Sequence, residues 1–234
     1  MELNPDFSCR VVVHAERLPW TTSPIAGVER RMLDRIGDEV ARATSIVRYA
    51  PRSRFAPHTH DGGEEFLVLD GVFQDEHGDF PRGAYIRNPP TSAHTPGSLP
   101  GCTIFVKLWQ FDPADRQHVR VDTTKLEFSP APARAGVAVM PLYRNDCEDV
   151  RLERWAAGAR VALDLPGGGE FLVLEGSMVE GDDRLTQHAW LRLPAGVTLL
   201  ATAGADACTV WVKTGHLAER CLSKRPGPPR ALLA

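Results

Sequence analysis

The chain repeats itself, and that restricts its fold more than any other feature. Glu65-Phe66-Leu67-Val68-Leu69-Asp70-Gly71 returns as Glu170-Phe171-Leu172-Val173-Leu174-Glu175-Gly176. Cys102-Thr103-Ile104-Phe105-Val106-Lys107 returns as Cys208-Thr209-Val210-Trp211-Val212-Lys213. Between them Ala84-Tyr85-Ile86-Arg87 matches Ala189-Trp190-Leu191-Arg192, and Pro89 matches Pro194. Order and spacing survive within a residue, which makes chance a poor explanation. The shared blocks are short, rich in β-branched and aromatic residues, and bounded by Gly and Pro, so they read as strands. Two copies of one β-domain are expected, with a front domain over 1–120, a linker over 121–136, a rear domain over 137–217 and a tail over 218–234. The connection is read from Asp112-Pro113-Ala114-Asp115 and Ser129-Pro130-Ala131-Pro132-Ala133, which mark Asp112 to Gly136 as a change of character with one strand inside it near His118 to Val121.

A chain of 234 residues with 43% hydrophobic content can bury cores for both copies. Phe66 to Leu69 is apolar on both faces, so both sides of that strand should be covered. Val40 to Tyr49 alternates loosely and reads as strand, although Glu39 to Arg42 would also suit a helix. Val11-Val12-Val13 reads as an edge strand. The net charge of −3 gives no basic field for nucleic acid. No apolar run reaches bilayer length and no leader pattern opens the sequence, so a cytoplasmic location is expected. Five cysteines without a CxxC pair then predict reduced thiols, with Cys102 and Cys208 as buried apolar residues.

The copies differ in one place. His58, His60 and Glu64 lie at even spacings, and a strand sends every second side chain to one face. His94 follows a Pro-Pro turn. Three imidazoles and one carboxylate form a four-ligand set for a first-row divalent metal, with iron, zinc, manganese and nickel all compatible. Anchored on the shared glycine, Glu64 falls on Gly169. His58 and His60 fall on Leu163 and Leu165, or on Asp164 and Pro166 if the gap moves by one, and His94 falls near Leu199. The rear copy keeps the strands without the imidazoles. Strand parity turns Glu65 away from the set, as a solvated or inter-domain carboxylate. His77 reads as an exposed turn residue; His14, His118, His188 and His216 read as surface. Tyr85 and Phe73 are expected to fill the barrel or line its pocket, and the tryptophans to pack.

His58-x-His60-x3-Glu64-x6-Gly71 resembles the first cupin motif, and Gly83-x5-Pro89-x4-His94 resembles the second. Arg52 stands where the first motif usually has Gly, Thr91 where the second has Gly, and Ser98 where it has Asn. The run from His58 to Gly71, with Asp75-Glu76-His77-Gly78, Arg87-Asn88-Pro89-Pro90 and Val106-Lys107-Leu108, is similar to the cupin domain of ChrR-like anti-sigma factors and their free-standing relatives. The resemblance implies an all-β chain of two tandem cupin (double-stranded β-helix, or jelly-roll) barrels, the second degenerate. It also implies a zinc or iron ion on His58, His60, Glu64 and His94. Sigma-factor binding is not carried over, since the helical domain that performs it and its His-x3-Cys-x2-Cys pattern are not in this sequence.

Two functions of different class remain open. One is a non-haem metal-dependent oxygenase acting on a small diketone or enediol, held at two free positions on the metal. The other is a ChrR-like stress-sensing or regulatory metal module without turnover. A small-molecule ligand is the expected partner in the first case. Cupin relatives suggest a homodimer.

Overall fold

The computed structural model describes residues 1–224; most of the expected tail after Lys224 lies outside the described residues. The chain is nearly all β, and it divides into two compact units. The front unit comprises Met1–Pro5 and Pro19–Lys125, and the rear unit Asp6–Leu18 and Leu126–Ser223.

In the front unit the main sheet runs Glu2–Leu3, Val28–Gly37, Ala41–Tyr49, Cys102–Leu108, Glu64–Asp75, Ala84–Asn88, Val119–Asp122. In the rear unit it runs Ser129–Pro130, Val137–Arg144, Asp149–Trp155, Cys208–Thr214, Gly169–Glu175, Ala189–Leu193, Val11–His14. Strand for strand the order is the same, and the repeated blocks occupy the same places. Both central strands carry a bulge at matching positions, at Leu69 and at Leu174. The shared glycine follows each bulge with a positive φ, and a Cβ on Gly71 would lie 2.0 Å from the carbonyl oxygen of Gly101. Close approach of two backbones explains why that position is glycine in both copies.

The first and last strands cross over. Val11–His14 precedes the front barrel in sequence yet pairs with Ala189–Leu193 of the rear unit. Val119–Asp122 precedes the rear barrel yet pairs with Ala84–Asn88 of the front unit. The expected edge strand at Val11 is therefore present, but its hydrogen bonds go to the second copy. The segment around Tyr49 is strand throughout, Ala41–Tyr49.

Each barrel closes over its main sheet with shorter strands. In the rear unit these are Arg160–Leu165, Val197–Ala203, Ser177–Glu180 and Asp183–Thr186. In the front unit His58–His60 pairs with Ser92–His94, and Ser53–Arg54 with Gly97–Ser98. The front interior is built on Phe66, Val68, Phe73, Ile86, Ile104 and Val106. The opposite face of the same strands buries Glu65, Tyr85, Arg87 and Lys107.

Several sequence expectations are corrected. Glu65 turns away from the histidines as strand parity predicts, but of its two expected settings the solvated one is excluded: it is 1% exposed and accepts a 2.6 Å hydrogen bond from the Tyr85 hydroxyl. Tyr85 neither fills the barrel nor lines the pocket, because it pairs across from Leu67 and shares the outer face with Glu65. His216 is not on the surface; it is fully buried, with Nε2 2.8 Å from Glu170 Oε1. His14 and His188 are half-buried, and His188 bonds to Glu16. The thiols are not all reduced, since Cys147 and Cys221 form a disulfide with a Cα separation of 5.6 Å. Cys221 sits on a short helix, Glu219–Leu222, so the first residues assigned to the tail are ordered. Among the described residues no helix is long and apolar enough to cross a membrane.

Candidate metal centre

The strand pair His58–His60 and Ser92–His94 sets His94 directly across from His58 and Ser92 across from His60. One residue intervenes between the two front histidines, so both imidazoles leave the strand on the same side. The ligand atoms of His58, His60 and His94 all lie within 4.8 Å of one another. His60 Nε2 and His94 Nε2 are 2.9 Å apart. Two ring nitrogens sharing a cation with ~2.1 Å bonds at right angles would lie about 3.0 Å apart, so the spacing fits a metal. Glu64 opens the next strand, and its Oε2 lies 3.4 Å from His60 Nε2 and 3.8 Å from His94 Nε2. It is 5% exposed and takes a 3.2 Å hydrogen bond from the Asn88 amide.

Neighbours aim the rings. His94 Nδ1 lies 3.2 Å from Asp75 Oδ2, and His58 Nδ1 lies 3.2 Å from the carbonyl of Ala56. With Nδ1–H donated outward, each Nε2 lone pair is left for the centre. Burial lowers the His60 pKa, against the opposing pull of Glu64. Burial would also depress His94, but the bond to Asp75 and the charge of Glu64 outweigh it and raise the pKa. Asp75 is desolvated as well, and its bonds to His94 and to the backbone of His77 still hold its carboxyl below the usual range. Phe73 fills the barrel, fully buried in the core cluster with its ring 5.7 Å from that of His94, whereas His77 is exposed.

A cavity of about 740 Å³ opens on this cluster. Its walls include Val47, Tyr49, Ile104, Val106 and Trp109, with Arg30 among the polar lining. Burial and the nearby Glu64 carboxylate raise the Tyr49 pKa, so its phenol keeps its proton. Trp109 thus does more than the packing expected of it, and neither Arg30 nor Tyr49 carries a sequence pattern that marks it as a cavity residue. The repeat held a signal for Trp109: two residues beyond the shared Lys107 and Lys213, the front copy has Trp109 and the rear copy has Gly215.

The motif positions that depart from glycine keep glycine's backbone. Arg52 and Thr91 have φ of 63° and 73°. Ser98, in place of Asn, is buried and donates a 2.6 Å bond to the Val72 carbonyl. The turns keep their shape despite the substitutions.

The register settles how the rear barrel differs. Leu163 lies across from Leu199 as His58 lies across from His94, and Leu165 across from Val197 as His60 across from Ser92. Gly169 and Glu64 each open the following strand. His58 and His60 therefore correspond to Leu163 and Leu165, not to Asp164 and Pro166.

Solved structures share this fold at low identity. A candidate dioxygenase from Nostoc punctiforme PCC 73102 superposes with a TM-score of 0.72 at 15% identity, covering 88% of this chain and 82% of that one. A cupin 2 conserved barrel domain protein from Leptotrichia buccalis gives 0.59 at 11%, covering 88% and 96%. Salicylate 1,2-dioxygenase from Pseudaminobacter salicylatoxidans gives 0.54 at 13%, covering 80% and 74%. No curated protein matches the sequence. The family model described as the ChrR cupin-like domain matches twice, over residues 8–112 and 116–218. Each match takes in a barrel together with the crossed-over strand that precedes it, so the chain belongs to the ChrR cupin-like family and carries its domain in tandem.

Proposed function

We propose that the front barrel is a non-haem metal-dependent oxygenase that acts on a small diketone- or enediol-like substrate. The observation behind this is the meeting of the imidazole cluster with a cavity of about 740 Å³, a size suited to a small organic molecule. His58, His60, His94 and Glu64 would hold the ion. When bound, the ion supplies Lewis acidity that favours an enolate and, if it is iron, redox chemistry with dioxygen.

The protein's own groups do the rest. Asp75 fixes the His94 ring so that its lone pair faces the centre. Val47, Ile104 and Val106 give the cavity an aliphatic wall that disfavours water at the reacting end. The Tyr49 phenol, held protonated, is a donor for a substrate oxygen. Carbon–carbon cleavage that places both atoms of dioxygen in the products needs no further reductant, and no site for one is required here. The dioxygenases among the structural neighbours agree with this reading, although their likeness extends only to the fold.

The test is metal analysis of untagged protein, followed by oxygen uptake by the iron-loaded form with acetylacetone and longer β-diketones. Oxygen consumption that disappears in His94→Ala supports the enzyme. Tightly held zinc, with no oxygen uptake after iron loading, would favour the regulatory module.

A further inference from the structure

Two residues of the cavity wall are not needed to cage a metal. Arg30 is one. Its side chain is 17% exposed, its Nε is buried without a hydrogen-bond partner among the described residues, and its Nη2 reaches both oxygens of the exposed Glu39 at 3.3 Å. The rear barrel has Val139 at this place, since Arg30 pairs with Thr21 as Val139 pairs with Ser129. The wall around it is mostly apolar, from Val28, Val47 and Tyr49, and a guanidinium with donors beyond those that the exposed Glu39 engages is a carboxylate receptor.

Trp109 is the other. Its φ is 58°, and its N–H donates to the Gly63 carbonyl at 3.2 Å. In the rear barrel Gly215, at φ 90°, makes the same bond to Gly168. A side chain in the left-handed region is strained, so the front barrel holds an indole where the backbone suits glycine. That indole packs flat on the chain: a Cβ on Gly62 would lie 2.1 Å from Trp109 Cδ2. The same residue lines the cavity.

We infer that the cavity selects flat, apolar carboxylates with an oxygen-donor head. The head meets the metal, Trp109 takes the ring, and Arg30 takes the carboxylate. This rests on the metal reading above and adds the substrate class to it.

The probes are benzoylacetone and its 4-carboxylate, titrated calorimetrically into zinc-loaded full-length protein, in which no turnover occurs. The acid binds wild type at least about tenfold more tightly than the neutral diketone. Arg30→Met reduces that preference to within about twofold and leaves the neutral probe unchanged. Trp109→Gly weakens both probes while the apo protein keeps its unfolding midpoint, because Gly215 shows that the backbone accepts glycine. Equal or weaker binding of the acid by wild type overturns the inference. So does zinc uptake with neither probe bound, which leaves the metal reading standing. Failure to take up zinc sinks the metal reading itself.

Discussion

The two barrels share one strand order and one set of bulges, yet their interiors are opposites. The front interior holds imidazoles, a carboxylate and a cavity. The rear interior is closed by Leu165 and Leu199, Trp155 and a dense apolar cluster. It also holds an ion cluster: Glu153, fully buried, accepts 2.8 Å bonds from both Nη atoms of Arg134 and one of 2.7 Å from Arg151. Glu153 stands across from Val210 as Val47 stands across from Ile104, and Val47 lines the front cavity. The barrel therefore does not need histidines to fold. Where the front copy keeps them it gives up packing, and at Thr91 and Trp109 it holds side chains in left-handed backbone where the rear copy has Gly196 and Gly215. The trade is reversed away from the site, where rear His188 (φ 60°) takes the place of front Gly83. Sites that forgo stability in this way are where function concentrates.

The sharpest way to break the comparison is to write the rear residue into the front. His94→Leu copies Leu199, and metal content measured by elemental analysis should fall from stoichiometric to background. The calorimetric unfolding midpoint of the apo protein should hold or rise, since a buried imidazole facing another at 2.9 Å is replaced by an apolar side chain. Full metal retention would mean that the histidines do not form the cage.

The next largest effect lies in the rear barrel. Arg134→Ala should destabilise it by about 3 kcal/mol at neutral pH in urea unfolding, because a buried carboxylate loses its forked partner and keeps only Arg151 and the Trp155 indole N–H. Burial works against ionisation of Glu153, but the Arg134 hydrogen bond and the charges of Arg151 and Arg134 prevail and lower its pKa. A lowered carboxyl pKa contributes stability above the unfolded-state value and loses it as pH falls through the folded one. The difference between wild type and Arg134→Ala should therefore shrink in acid. A difference independent of pH would show that Arg134 acts by packing rather than charge.

Much of this contrast was legible in the sequence because strands announce themselves by period and repeats by recurrence. The metal cluster was legible because even spacing on a strand translates directly into a shared side. What was not legible depends on long-range placement. Val11–His14 and Val119–Asp122 look like edge strands from composition, but nothing local says that each pairs with the other copy's barrel. His216 has no ligand-like spacing, and the partner that satisfies it in the interior, Glu170, is 46 residues away. Cys147 and Cys221 are 74 residues apart and meet through tertiary folding alone. Tyr85 was misplaced because its strand's inner face belongs to Ala84 and Ile86, a parity that only the register with Phe66 reveals.

A smaller effect concerns Asp75. Its rear counterpart by register, Glu180, faces Arg10 instead of a histidine, with a 2.6 Å contact. Asp75→Asn keeps the shape and removes the charge that aims His94, so metal affinity in a chelator competition should drop ~10–100-fold. In wild type the raised His94 pKa means that a proton competes with metal as pH falls through a value above the ordinary 6.5. The Asn variant should shift that competition to lower pH. A variant with unchanged affinity and pH profile would reduce Asp75 to a loop residue.

The smallest effect tests whether the front barrel's backbone is strained at all. Thr91, at φ 73°, donates its N–H to the His60 carbonyl at 3.0 Å; Gly196, at φ 85°, donates to the Leu165 carbonyl at 2.8 Å. The two turns are equivalent, and only the side chain differs. A β-branched residue is a poor occupant of this region, while glycine enters it freely but makes the unfolded chain more disordered. Relief and entropy oppose each other, leaving an expected net gain of about 1 kcal/mol or less for Thr91→Gly in denaturant unfolding of the apo protein. Because Thr91 is exposed and its backbone bond is kept, metal uptake should not change. A loss of stability would mean that the threonine side chain makes good its backbone cost locally, and that the front turn is adapted rather than strained.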